Sequence, residues 1–240
     1  MRHLVAAYPQ ALERVEDNSL VWRDGSRMAI DDGFGPKTAD QRLETADIKD
    51  MLVESYPVGN AGLLPAPETD PGRARNAALF DKMYGDCRTG EVQKALTTIP
   101  WLPKKWGKPL QVTARNGVAD KLAAISRELD ELPASFDAFL FPPAGTFNCR
   151  VIAGTSRMSA HGHGIAIDLA VARSDYWRWG KAGPGSGGGE TAKDAVGTYR
   201  NRIPAEIVAI FERHGFIWGG KWSHFDTMHF EYRPELLPPQ

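Results

Sequence analysis

Cysteine is scarce in this chain: Cys87 and Cys149 are the only two in 240 residues. Two cysteines are too few for a disulfide scaffold, and they lack the paired spacing of a zinc-thiolate site. One bridge between them and two free, half-buried thiols are equally open readings. Long apolar runs are also missing. Nothing approaches the roughly 20 residues that span a bilayer, and the apolar stretch within residues 1–9 is too short for a signal peptide. The expectation is therefore a cytoplasmic protein, or one from which a signal has been removed. Charge of one sign is missing too: 29 Lys and Arg stand against 30 Asp and Glu. No global field draws nucleic acid or an anionic membrane to such a surface. Repeats of 20 to 50 residues are absent, which argues against solenoids and wall-binding arrays.

What is present suits a globular fold. Hydrophobic residues make up 42% and charged residues 25%, enough apolar side chains to build a core. The length suits one domain with an extension. Residues 1–72 carry breakers at Asp31-Asp32-Gly33-Phe34-Gly35-Pro36, Pro65-Ala66-Pro67 and Asp70-Pro71-Gly72, so an extended arm with short helices is expected there. Helical stretches at 73–83 and 91–98 follow as connectors, until Pro100-Trp101-Leu102-Pro103 breaks the chain. The arm is taken as residues 1–105 and the main domain as 106–240.

Val118, Leu122, Ile125, Leu129 and Leu132 fall at spacings of four and three, the stripe of a helix packed on a sheet. A second amphipathic helix carries Pro204 in its first turn and Ile207, Val208, Ile210 and Phe211 on one side, ending near Gly215. Strands are expected at 110–113, 139–141, 151–153, 164–169, 216–218 and 228–232. Residues 180–189, Gly-Lys-Ala-Gly-Pro-Gly-Ser-Gly-Gly-Gly, have the composition of a mobile surface loop and lack the Lys-Ser or Lys-Thr of a phosphate cradle. Helices and short strands without a regular βαβ rhythm predict an α+β fold with a mainly antiparallel sheet.

Five of the six histidines lie between positions 161 and 229. In the first cluster, a strand over 164–169 would point Ile165, Ile167 and Leu169 into the core. Asp168 would then share the other face with Gly164 and Ala166, which clear it of bulk. In the second, Met228, Phe230 and Tyr232 point inward while His229 and Glu231 share the opposite face. Asp226 stands three residues before His229, so the chain must turn or bulge near 226–227 for both to reach one site. Two His and one Asp, contributed by neighbouring strands, fit a catalytic zinc site with its fourth position left to water. Asp226 is the candidate to take that water's proton. His163, His214 and His224, taken singly, read as packed or surface histidines.

The pattern Ser159-x-His161-x-x-Gly164-x-Ala166-x-Asp168, followed by Trp222-x-x-x-Asp226-x-Met228-His229-Phe230-Glu231, resembles the zinc D-alanyl-D-alanine carboxypeptidases and L-alanyl-D-glutamate endopeptidases. These peptidoglycan peptidases share a metal site with lysostaphin-type enzymes and the hedgehog domain. The resemblance covers about residues 138–235. It implies a hedgehog-like α+β fold, Zn2+ held by His161, Asp168 and His229, Asp226 as general base, and Arg150 on a substrate carboxylate or on the polarised carbonyl oxygen, with Arg157 as its rival. Ser159 and Trp222 are further candidate substrate contacts, although Ser159 could simply shape the turn before His161. Two departures stand out: many relatives carry Glu where Asp226 stands, and often Asn where Leu169-Ala170 follows the metal Asp. The implied substrate is a peptidoglycan stem peptide, which places the work in the periplasm or outside the cell, cytoplasmic residence being the alternative. Cleavage between L-alanine and D-glutamate is preferred, with D-alanyl-D-alanine trimming as runner-up. An inactive zinc-bearing wall-binding module, with Glu231 filling the fourth metal position, is the rival of a different class; a phage-type lysin would want a wall-binding module, and none is recognisable.

Overall fold

The computed structural model describes residues 1–59, 67–179 and 197–238; the glycine-rich stretch 180–189 lies outside the described residues. Residues 1–59 hold strands as well as helices where an extended arm with short helices was expected over 1–72. Helix α1 (Arg2–Ala7) leads into strands β1 (Leu12–Glu16), β2 (Ser19–Trp22) and β3 (Arg27–Ala29), an antiparallel meander. Alternation in Leu12-Glu13-Arg14-Val15 and Leu20-Val21-Trp22 is short, but it gives the sheet a face to bury. Leu4, Tyr8, Leu12, Leu20 and Trp22 accordingly join the same buried cluster as Leu122, Ile167 and Phe230. Helix α2 (Ala39–Thr45) starts at a capping box in which Thr38 and Gln41 satisfy each other's backbone N–H groups.

Helix α3 (Ala77–Tyr84), capped by Asn76, and the five-residue α4 (Glu91–Ala95) come next. The helix expected over 91–98 stops at Ala95 because β-branched Thr97, Thr98 and Ile99 pair across to Val112, Gln111 and Leu110. Strands β4 (Leu96–Trp101) and β5 (Lys108–Thr113) form a two-stranded sheet. Pro100 thus sits inside a strand rather than breaking the chain. It stands opposite Pro109, and with only two strands each has a free edge where a missing N–H costs little.

The expected long helix is α5 (Val118–Asp130), burying Val118, Leu122, Ile125 and Leu129. Residues 139–141 are not a strand: Asp137–Leu140 form a short helix, α6, with Asp137 in its first turn. Residues 151–153 are not a regular strand either; Val151 makes a single bridge to Met158 across a turn that includes Gly154 at φ 75°. The second amphipathic helix is α7 (Ala205–Arg213). Strands β6 (Ala166–Asp168), β7 (Phe216–Trp218) and β8 (His229–Tyr232) form an antiparallel sheet in the order β6-β8-β7. The fold is α+β with antiparallel sheets, as predicted. Cys87 and Cys149 are bonded to each other, so of the two readings it is the bridge that the structure holds.

Candidate metal centre and substrate cleft

Register brings the centre together. In the pairing of β6 with β8, Asp168 stands directly opposite His229 and Ala166 opposite Glu231. Asp168 Oδ1 lies 3.0 Å from His229 Nδ1 and 3.1 Å from His161 Nε2. His161 belongs to a one-turn 3-10 helix (Ala160–His163). Ser159 caps that turn, its hydroxyl accepting the His161 N–H, and left-handed Gly164 ends it. A Cβ at Gly164 would lie 3.2 Å from the Thr113 backbone nitrogen, which is why the motif needs glycine there. The expected break after Asp226 is present: residues 227–228 form a turn, and the His229 N–H donates to the Asp226 carbonyl.

The outer nitrogens of both imidazoles are taken. His161 Nδ1 faces the Thr146 carbonyl at 2.6 Å and His229 Nε2 faces Glu231 Oε2 at 3.0 Å. A carbonyl and an ionised carboxylate only accept, so each ring donates outward and turns a lone pair toward Asp168. Two lone pairs and a carboxylate facing one another need a cation between them. In the metal-free chain a proton answers that need. Burial disfavours the charged His229, yet its hydrogen bonds to Asp168 and Glu231 prevail and push its pKa up to about 10. The ligand atoms of His161, Asp168 and His229 all lie within 4.8 Å of one another, and the donor set of two imidazoles and a carboxylate fits a divalent metal. Asp31, Asp32 and Asp47 also cluster, but there the Lys37 ammonium lies 2.5 Å from Asp32 and supplies the positive charge.

Glu231 is fully buried, and both of its oxygens are engaged. Arg75 donates to Oε2 at 2.7 Å, beside His229, and Arg233 donates to Oε1 at 3.0 Å. Burial opposes its charge, but Arg75, the His229 hydrogen bond and Arg233 outweigh burial and hold its pKa well below the carboxylate range. It therefore braces the far side of the His229 ring and is not aimed at the metal position. From Arg233 the network runs on to Glu235 at 2.5 Å and to the Tyr8 hydroxyl, 2.6 Å from Glu235.

Asp226 is paired less completely than Glu231. Its Oδ1 is buried without a hydrogen-bond partner among the described residues. Burial and the charge of Asp168 push its pKa up to about 6, with His229, His161 and Arg73 pulling in the other direction. An unpaired carboxylate oxygen beside the triad is a ready proton acceptor.

The centre opens on a cleft of about 280 Å³ lined by Arg73, Arg150, Arg157, Ser159, Tyr176, Trp177, Trp179, Trp222 and His224, among others. Trp222 packs 5.6 Å from the His229 ring and donates its indole N–H to the Pro71 carbonyl. Arg150 is exposed, with a 3.4 Å bond to the neighbouring Val151 carbonyl. Arg157 reaches Glu44. His163 packs against Phe80 and Tyr84 with Nε2 on Asp81, His214 pairs with Glu128, and His224 pairs with Asp70; none of the three joins the triad. The reading of the sequence passed over Arg73, Arg75 and the aromatics at 176, 177 and 179. They stand outside both motifs, and the one signal they offered was two arginines and three aromatics at close spacing.

No curated protein and no solved structure matches the chain. The match to a family model is confined to a third of it and takes in the triad, Asp226, Trp222 and Glu231, leaving out Arg73, Arg75 and Arg150. Over residues 153–232 the chain matches the family described as D-alanyl-D-alanine carboxypeptidase, the family its two motifs resemble.

Proposed function

We propose that this chain is a zinc peptidase of peptidoglycan stem peptides, with His161 Nε2, Asp168 and His229 Nδ1 as the metal ligands and Asp226 as the general base. The observation that carries the reading is the convergence of two imidazole lone pairs on Asp168, each fixed by a donor bond on the ring's far side. Bound zinc would supply a Lewis acid for the scissile carbonyl and for the attacking water. Asp226 takes the water's proton at its unpaired oxygen and returns it to the leaving amine. Arg150, exposed at the cleft, stabilises the charge that develops on the carbonyl oxygen. Ser159 holds the turn that presents His161. Trp222 walls the cleft.

Among stem-peptide bonds, L-alanyl-D-glutamate is preferred and D-alanyl-D-alanine is second. A cleft edged by the exposed side chain of Arg150 suits a long peptide. The bridge between Cys87 and Cys149 supports work in an oxidising space, periplasmic or extracellular. Against a purely structural zinc module stand the commitment of Glu231 to Arg75 and Arg233 and the unpaired oxygen of Asp226.

The decisive measurement is metal content. Purified chain should carry about one zinc, and His161→Ala and His229→Ala should each abolish it; full occupancy in both variants would overturn the ligand assignment. A stem pentapeptide offered with a free and with an amidated carboxyl terminus separates the two bonds. Release of D-alanine from the free form alone, with the L-alanyl-D-glutamate bond intact in both, would make the chain a carboxypeptidase.

A further inference from the structure

Four guanidiniums line the cleft, and they are not equivalent. Arg75 is locked to the buried Glu231. Arg157 is drawn to Glu44 at the rim. Arg150 stands exposed on a loop. Arg73 alone is both in the cleft and anchored against the segment that carries the base. One of its N–H groups donates to Asp70 at 2.8 Å, its guanidinium carbon lies 5.9 Å from the centre of the Trp222 ring, and its charge is felt at Asp226. Four further N–H donors remain on that guanidinium.

The anchor is itself stitched to the strand-to-strand loop that carries Asp226. Asp70 also accepts from the His224 backbone N–H at 2.9 Å and pairs with its ring at 2.6 Å. The Ser223 N–H donates to the Thr69 carbonyl, and the Trp222 indole to Pro71. Arg73 thus has a fixed position on the wall beside Asp226, where the leaving amine collects its proton. A planar donor fork held in that place is suited to a carboxylate.

We propose that Arg73 is a specificity-determining residue that binds the free α-carboxylate of the residue whose amine is released. The proposal rests on the hydrolytic reading above for the side of the cleft, and it commits the substrate class to peptides acidic at that residue. It holds for either bond, since D-glutamate and a terminal D-alanine both carry a free α-carboxylate when their amines leave. Arg150 keeps the separate task of facing the carbonyl oxygen.

The test uses two pairs of dipeptides that differ only at that carboxyl: L-alanyl-D-glutamate with L-alanyl-D-isoglutamine, and D-alanyl-D-alanine with its amide. Calorimetric titration of the full-length, metal-free chain should give tighter binding of the free acid in at least one pair, by roughly 10- to 100-fold, as for a lost charge-assisted bond. Arg73→Gln should erase that preference. Arg73→Lys, which keeps the charge and the contact to Asp70, should fold normally and restore part of it. Arg150→Gln should leave the preference in place. Discrimination in neither pair by the unsubstituted chain, or discrimination unchanged in both Arg73 variants, would overturn the proposal. Hydrolysis by the zinc-loaded chain is read separately: if binding follows the pattern but no bond is cut, the peptidase reading falls while the assignment of Arg73 stands.

Discussion

At Asp226 burial and the Asp168 charge act in one direction, moving the pKa from 3.8 to about 6. Since the folded value is the higher one, the metal-free fold holds a proton between about pH 4 and 6 that the unfolded chain releases, and the associated stability is lost as pH rises through 6. Metal-free Asp226→Asn should therefore be more stable than the parent at pH 7, by on the order of 3 kcal/mol at about 1.4 kcal/mol per pK unit; urea unfolding checks this, and equal midpoints would refute it. Bound zinc would lower the same pKa, so kcat/KM should fall on the acid side with an apparent pKa at or below about 6. Asp226→Ala should keep the metal while kcat falls about 10²- to 10⁴-fold. Glu231 is a contrasting case. Glu231→Gln removes the countercharge of Arg75 and Arg233 and loosens the His229 ring. The expected loss is about 3–5 kcal/mol of stability and about 10- to 100-fold of zinc affinity, measurable by denaturation and by competition with a chelator.

Among the elements, those with a long period were legible in the sequence and the short ones were not. The stripes of α5 and α7 repeat over several turns, so periodicity alone locates them. Residues 139–141 and 91–98 are three to eight residues long, where apolar runs fit either state; α6 and β4 were settled by an acidic first turn and by cross-strand partners. The one-turn helix at 160–163 was invisible as a helix, although Ser159 and Gly164, its two ends, were part of the motif. Gly164→Ala should cost about 1–2 kcal/mol from the left-handed backbone alone, plus the close approach to Thr113, and should lower zinc occupancy by moving His161. The bridge ties the 3-10 turn at Cys87–Thr89 to the loop bearing Arg150 across 62 residues of sequence. Unreduced, unfolded protein should show no free thiol on titration. Replacing both cysteines by serine should cost on the order of 4 kcal/mol, the loop-closure entropy of that length.

For the whole molecule, residues on the two sides of position 105 share one buried core. The buried cluster runs from Leu4 to Tyr232, Arg75 pairs with the Glu231 that braces His229, Arg73 lines the cleft, the Pro71 carbonyl holds the Trp222 indole, and Tyr8 closes the ion network that begins at His229. A chain reduced to residues 106–240 would leave Glu231 and Arg233 with fewer partners and expose the face that Leu4, Leu20 and Trp22 cover. It should lack a cooperative thermal transition and fail to retain zinc; a sharp transition with bound metal would show that the catalytic half folds alone.

By itself the sequence determined the identity and spacing of His161, Asp168, Asp226 and His229, the turn after Asp226 and the faces of the strands, because a period of two and a glycine-capped turn are local properties. The tertiary structure decided which nitrogen each histidine turns inward, what Glu231 does, and that Arg73 and Arg75 belong to the cleft. The histidine orientations follow from partners that pairing of β6 with β8 and the approach of Thr146 bring together, while the places of Glu231, Arg73 and Arg75 depend on contacts more than 150 positions apart, such as Arg75 with Glu231 and Asp70 with His224, which only packing of the whole chain brings within reach.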